Sequence, residues 1–163
     1  MQITNNARHP TVTAHGIYGF FQEYRFLSNF EPSPLRLEGT YADGLTYPTA
    51  EHAYMALKSL DIAMREDVAE LSTPQQAREK GQIIALRPDW EKFKPHAMLA
   101  VLRAKFRQNP ELALRLKHTK MLYLEETNNW GDVYWGVDQK IGLNMLGKTL
   151  MQVRAELIDG NVK

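Results

Sequence analysis

Cysteine is absent from this chain of 163 residues. That single absence excludes a disulfide framework, a thiolate nucleophile and a cysteine metal cluster. It suits a reducing cytoplasm, which is the expected compartment. Long apolar runs are also missing: Met1 to His15 has no signal-like apolar core, and no later stretch reaches bilayer length, so no membrane is expected as a partner. Charge of one sign is scarce too. Twenty Lys and Arg face nineteen Asp and Glu, a formal net charge of +1, which supplies no strong field for gripping phosphate backbones. Nucleotide fingerprints are lacking as well. No Gly-x-Gly-x-x-Gly follows a strand, and Gly147-Lys148-Thr149 lacks the upstream glycine of a phosphate loop.

What remains reads as one domain, residues 15–163, behind a flexible polar arm over 1–14. The N-terminal third predicts short strands. Gly16 to Phe21 is aromatic-rich, Leu35 and Leu37 alternate with Arg36 and Glu38 between Pro34 and Gly39, and Asp43-Gly44 is a hairpin signal between Tyr41 and Tyr47. From Pro48 the pattern turns helical. Thr49 caps a helix expected to reach Asp61; Thr73-Pro74-Gln75-Gln76 opens another, with Gly81 as its stop. A third helix is expected from Asp89 to Gln108 with Met98, Leu99, Leu102 and Phe106 on one face, a short one from Asn109-Pro110 through Leu116, and a strand over Met121 to Leu124. Leu146, Leu150, Val153 and Leu157 then mark the most regular helix. The fold class expected is α+β, helix-rich, with a small antiparallel sheet.

Three segments carry more chemistry than a core requires. Phe26-Leu27-Ser28-Asn29-Phe30 sets an amide among aromatics ahead of Pro32 and Pro34; Asn29 either offers donor and acceptor to a base or sugar, or satisfies a turn. In the second segment Glu51, Tyr54, Met55 and Lys58 fall at i, i+3, i+4 and i+7 of a helix and share a face. Glu51 and Lys58 lie about 10 Å apart along the axis, too far for a direct ion pair yet able to converge on one ligand. A carboxylate there stabilises an oxocarbenium-like centre or moves protons, and a desolvated lysine attacks an anomeric carbon. The ordinary alternative is dipole and solvation chemistry on a common helix. His52 has no second histidine at i+4, which argues against a metal. The third segment, Trp130-Gly131-Asp132-Val133-Tyr134-Trp135-Gly136, makes an aromatic wall with one acid. Behind it, Gly142-Leu143-Asn144-Met145-Leu146-Gly147 brings glycines and a helix N-terminus whose amides are candidates for a phosphate.

Taken in order, FLSNF (Phe26 to Phe30), YPTAEHAYMALK (Tyr47 to Lys58), TPQQAREKG (Thr73 to Gly81), the Trp90 to Met98 stretch, AKF (Ala104 to Phe106), WGDVYWG (Trp130 to Gly136) and GLNMLGKTLMQVR (Gly142 to Arg154) resemble the YbiA/NADAR family. The resemblance implies an N-glycosidase that cleaves ribose, or ADP-ribose, from a base-type nitrogen. Riboflavin-pathway ribosylaminopyrimidines and ADP-ribosylated guanine, free or in nucleic acid, are the implied substrate classes. It implies Schiff-base chemistry at Lys58 with Glu51 as acid/base, Asp132 joining them in the catalytic set, and no cofactor. The substrate-binding set expected around them is Phe26, Ser28, Asn29, Phe30, His52, Tyr54, Trp90, Trp130, Tyr134, Trp135, Gly136, Gly142, Asn144 and Gly147. Many members carry Gln where this chain has Met55, and Glu125 to Trp130 matches only one branch, with Val137 to Lys140 a variable rim; these departures bear on the leaving group. A reader of ADP-ribose without catalysis is the alternative, and the oligomeric state is left open.

Overall fold

The computed structural model describes residues 8–160. Of the expected arm, residues 1–7 lie outside the described residues, while Thr11–Val12 forms strand β1 and pairs antiparallel with β2, Gly16–Tyr18. The turn between them is closed by Thr13, whose hydroxyl accepts from the His15 and Gly16 amides at 3.1 Å each. The chain thus joins the sheet earlier than its polarity suggests, because a side-chain acceptor stands in for backbone partners.

The expected antiparallel sheet is instead three small sheets, one of them mixed. β2 pairs in parallel with β5, Tyr123–Glu125, with Ile17 opposite Leu124. Helical chain separates these two strands, and such a crossover returns the second strand in the same direction. β3 (Pro32–Leu35) and β4 (Tyr47–Thr49) pair antiparallel, and β6 (Thr127–Asn128) pairs in parallel with β7 (Val137–Asp138). The alternation at Leu35 and Leu37 holds, both being buried, but Asp43-Gly44 is no two-residue hairpin. A 3₁₀ turn at Gly39–Tyr41 widens the connection. The Asp43 carboxylate accepts from the Leu45 amide at 3.1 Å and the Tyr47 hydroxyl at 2.7 Å, so it anchors a longer loop.

Helix α1, Ala50–Ala56, starts at the expected cap: the Thr49 hydroxyl accepts from the His52 amide at 3.3 Å. It stops short of Asp61. Leu57, Lys58 and Ser59 tighten the last turn, and the Lys58 carbonyl accepts from the Arg87 amide at 2.7 Å, leaving Asp61 free to cap α2, Ile62–Ala69. No apolar stripe announces α2, since Val68 alone is buried there. α3, Pro74–Ile83, has the full capping box. Gly81 lies inside it rather than ending it, because a Cβ at that point would overlap Met55 and push α3 off α1.

α4 spans Trp90–Gln108, α5 Pro110–His118 and α6 Met145–Asp159. α4 packs on α1, every residue of which is buried, and α5 and α6 pack on α4 and on each other. Met98, Leu102, Phe106, Leu150 and Val153 are each 1% exposed or less, and side chains of this kind contribute about 1.5–3 kcal/mol apiece on burial. Among the described residues no helix is long and apolar enough to cross a membrane.

Candidate active site

A short, fully buried helix leaves its polar residues either bonded to protein or facing a gap in the packing. Beside α1 that gap is a cavity of about 840 Å³, walled by α1, α3, α4, the Ser28 to Phe30 loop and the segment from Glu126 to Trp135. The volume lies in the range of small-molecule sites. Glu51, Tyr54 and Met55 reach it from α1, and Lys58 from the tightened turn that follows.

The electrostatics follow from burial. Glu51 is 6% exposed, and its Oε1 stands 4.0 Å from Arg78 Nε. Desolvation pushes its carboxyl up to about 7, although Arg78, Lys58 and hydrogen bonding by Asn29 pull the other way. Burial draws the Lys58 ammonium below its ordinary value against the attraction of Glu51. Lys58 Nζ donates to the Gly81 carbonyl at 3.0 Å and lies 5.8 Å from the centre of the Trp90 ring. An acid and an amine thus share one cavity with proton affinities moved toward each other. Glu126 is likewise raised to about 7, by burial first and by Asp132 second.

The aromatic wall is continuous. Tyr54 sits 5.3 Å from Trp90 and 5.4 Å from Trp135, and Tyr134 meets Trp135 edge-on at 4.8 Å. Lys94 Nζ lies 4.2 Å over Tyr134. Burial raises the Tyr54 hydroxyl well above its usual range, so it stays a donor.

The loop that presents Asn29 is braced from behind. Lys105 of α4, 0% exposed, donates to the carbonyls of Phe26 at 2.7 Å and Ser28 at 2.9 Å. Ser28 Oγ accepts from the Phe30 amide, and Asn29 O from the Glu51 amide at 3.0 Å, which ties the loop to the first turn of α1. Asn29 Nδ2 reaches Met98 Sδ at 3.5 Å, while its Oδ1 is buried without a partner.

Eleven of the expected residues line this cavity: Ser28, Asn29, Phe30, Glu51, Tyr54, Lys58, Trp90, Trp130, Asp132, Tyr134 and Trp135. Asp132 also holds its own loop, since its Oδ1 accepts from the Trp135 amide at 2.9 Å. Six expected residues lie elsewhere. Phe26 is in the core, with the Arg115 guanidinium 4.2 Å from its ring centre. His52, 0% exposed, has both ring nitrogens engaged, by Thr49 Oγ1 at 2.8 Å and the Leu71 carbonyl at 3.0 Å. Asn144 accepts from the Glu126 amide and donates to the Tyr123 hydroxyl and the Leu124 carbonyl.

The expected phosphate seat at the start of α6 is corrected by the same network. The amides of Asn144, Met145 and Leu146 donate to the carbonyls of Gly136, Tyr134 and Trp135 at 3.0–3.2 Å, so they hold the aromatic segment and are not open to a ligand. Gly136, Gly142 and Gly147 permit these close approaches: a Cβ at Gly147 would overlap the Leu124 carbonyl and the Asn144 amide.

Arg78, Lys94 and Glu126 line the cavity without having been singled out in the sequence. Gln75, Arg78 and Gln82 share a face of α3 at i, i+3 and i+7, a signal that identifies a polar face but not what it faces. Among the described residues no group of His, Asp and Glu is placed to hold a metal ion.

The model of the NADAR domain matches residues 18–158. The chain is 38% identical over 149 residues to N-glycosidase YbiA of Escherichia coli, covering 89% of each protein. It is 33% identical over 144 residues to the chloroplastic riboflavin biosynthesis protein PYRR of Zea mays, which takes 80% of this chain and 23% of that one. The solution structure of the E. coli protein YbiA superposes with a TM-score of 0.77 at 34% identity, covering 96% of this chain and 94% of that chain.

Proposed function

The chain belongs to the NADAR domain family, and from that premise we propose that it is an N-glycosidase, hydrolysing the bond between ribose or ADP-ribose and a nucleobase-type nitrogen. The observation that carries the reading is the meeting of Glu51 and Lys58 in one cavity, an acid raised to about 7 beside an amine lowered from its ordinary value. Names of relatives support the class: one is an N-glycosidase, another a riboflavin biosynthesis protein. A ribosylaminopyrimidine of that pathway and ADP-ribosylated guanosine, free or in DNA, are the substrates proposed.

The base stacks on the wall of Tyr54, Trp90 and Trp135, and Asn29 Oδ1 accepts from a sugar or base donor. Protonated Glu51 donates to the departing nitrogen, so that the base leaves neutral as the C1–N bond breaks. Neutral Lys58 attacks C1; ring opening gives an imine, and water then releases the sugar and restores the amine. Phosphates meet Arg78 and Lys94, since the α6 amides are occupied. With Glu51 required as acid and Lys58 as free amine, the pH–rate profile has two limbs, an acid one where Lys58 gains its proton and an alkaline one where Glu51 loses its own.

The test is chromatography of base released from ADP-ribosylated guanosine, ADP-ribosylated DNA and the riboflavin-pathway pyrimidine. Borohydride added during turnover should fix sugar to Lys58, seen as a mass increase on its peptide. Full activity in Lys58→Ala, or sugar trapped elsewhere, would remove the amine from the mechanism.

A further inference from the structure

Two side-chain polar atoms among the described residues are buried without a hydrogen-bond partner, Asn29 Oδ1 and Glu126 Oε2, and both residues line the cavity. A buried polar atom left without a partner is destabilising, and a ligand donor offsets that cost. Asn29 already has a part in the mechanism. Glu126 has none.

Its backbone is pinned on both sides. The Glu126 amide donates to Asn144 Oδ1 at 3.1 Å, and its carbonyl accepts from the Val137 amide at 2.9 Å. Room for the side chain comes from Gly136, where a Cβ would stand 3.1 Å from Glu126 Cγ. Gly136 directly follows Trp135, so the carboxyl lies at the margin of the aromatic wall, whereas Glu51 approaches from α1 and Lys58 from the turn after it.

We propose that Glu126 selects the leaving base, its carboxylate accepting two parallel N–H donors from a planar heterocycle in which a ring N–H is flanked by an exocyclic amine. The choice of leaving base rests on the N-glycosidase reading, while recognition of the ring edge stands apart from cleavage. A carboxylate matches such a paired edge through its two oxygens. A ring with a carbonyl in place of the amine sets a lone pair against the carboxylate and is rejected by repulsion. Asp132 and Glu51 face Glu126 as like charges and Arg78 as the opposing one, so the empty carboxyl exchanges its proton near neutrality and two ligand donors restore the solvation that burial removed.

Calorimetric titration of the full chain with guanosine, which has the paired edge, and inosine, which lacks the amine, tests this. Wild type should bind guanosine at least about tenfold more tightly than inosine, the range a bidentate base contact supplies. Glu126→Ala should remove that preference by weakening guanosine, which loses two contacts, more than inosine, which loses one. Glu126→Gln is isosteric and serves if the alanine variant fails to fold; its amide N–H meets a ligand N–H, and the preference is again lost. No preference in wild type, or a preference kept in either folded variant, overturns the assignment. Base release measured on the same preparations separates the two readings. Preference without release sinks the enzyme and leaves the edge recognition, whereas release with a preference blind to Glu126 does the reverse.

Discussion

Lys58 and Lys105 both lose proton affinity to burial, Lys105 down to about 7, but the regions around them put that burial to different uses. Lys105 lies behind the Phe26 to Phe30 loop, wholly enclosed, with its ammonium between two backbone carbonyls. Lys58 opens on the cavity and has one backbone acceptor, Gly81 O. The pair Glu51 and His52 repeats the contrast within one helical turn. His52 has both nitrogens bonded to protein, while Glu51 faces the cavity, with Arg78 4.0 Å away and Asn29 and Lys58 beside it. A buried polar group whose partners are all protein is scaffold; one whose valences are left open is equipment.

Breaking the cavity side should give the largest effect. Lys58→Ala and Glu51→Gln should each lower base release by about 10²–10⁴-fold, the span typical of a lost acid–base group, with the fold retained by circular dichroism. Activity within threefold of wild type in either would put that residue with the scaffold. On the other side, Lys105→Met should cost about 1–3 kcal/mol in denaturant unfolding, because the Phe26 and Ser28 carbonyls lose their donor in a closed space.

The pH dependence of stability separates the buried carboxyls from the buried amines by sign. Glu51 and Glu126 have folded values near 7, above the ordinary 4.5. Between those limits the folded chain holds protons that the unfolded chain has released, so these two groups make stability fall as pH rises from 4.5 to 7. Lys105 is lowered from 10.5 to about 7. There the unfolded chain holds the extra proton, and its contribution makes stability rise from pH 7 to 10.5. Urea midpoints against pH should lose part of the acid-side slope in Glu51→Gln, the rest staying with Glu126, and part of the alkaline-side slope in Lys105→Met. A smaller change is expected for His52→Ala: about 1 kcal/mol of stability through two lost hydrogen bonds, with base release per folded molecule unchanged.

Local signals were legible wherever a side chain acts on its own backbone or on its own helix face. The Thr49 cap, the Thr73 capping box and the stripe of α6 all stand where the spacing puts them. So does the meeting of Glu51, Tyr54 and Lys58, although helix α1 ends before Lys58 and a tightened turn delivers it. Signals failed where a remote partner intervened. Asp43 left the hairpin for Tyr47 and Arg65, Gly81 packs on Met55 instead of stopping α3, and the α6 amides were claimed by the segment they seemed ready to share with a phosphate. α2 had no stripe to read.

By itself the sequence determined the helices with strong caps and periodicity and the presence of an acid and an amine on one face, because each depends on residues a few positions apart, and the family, because its blocks are each contiguous and stand in order along the chain. The tertiary structure decided which polar groups stay unsatisfied. His52 and Asn144 are as polar as the site residues, yet Asn144 is closed off by groups twenty or more positions away and His52 by its own helix cap, Thr49, together with the carbonyl of Leu71 nineteen positions on. Arg78 and Glu126 entered the site for the same reason, since the proton affinity of a carboxyl depends on how much water the whole fold removes from it and on which distant charges remain within reach.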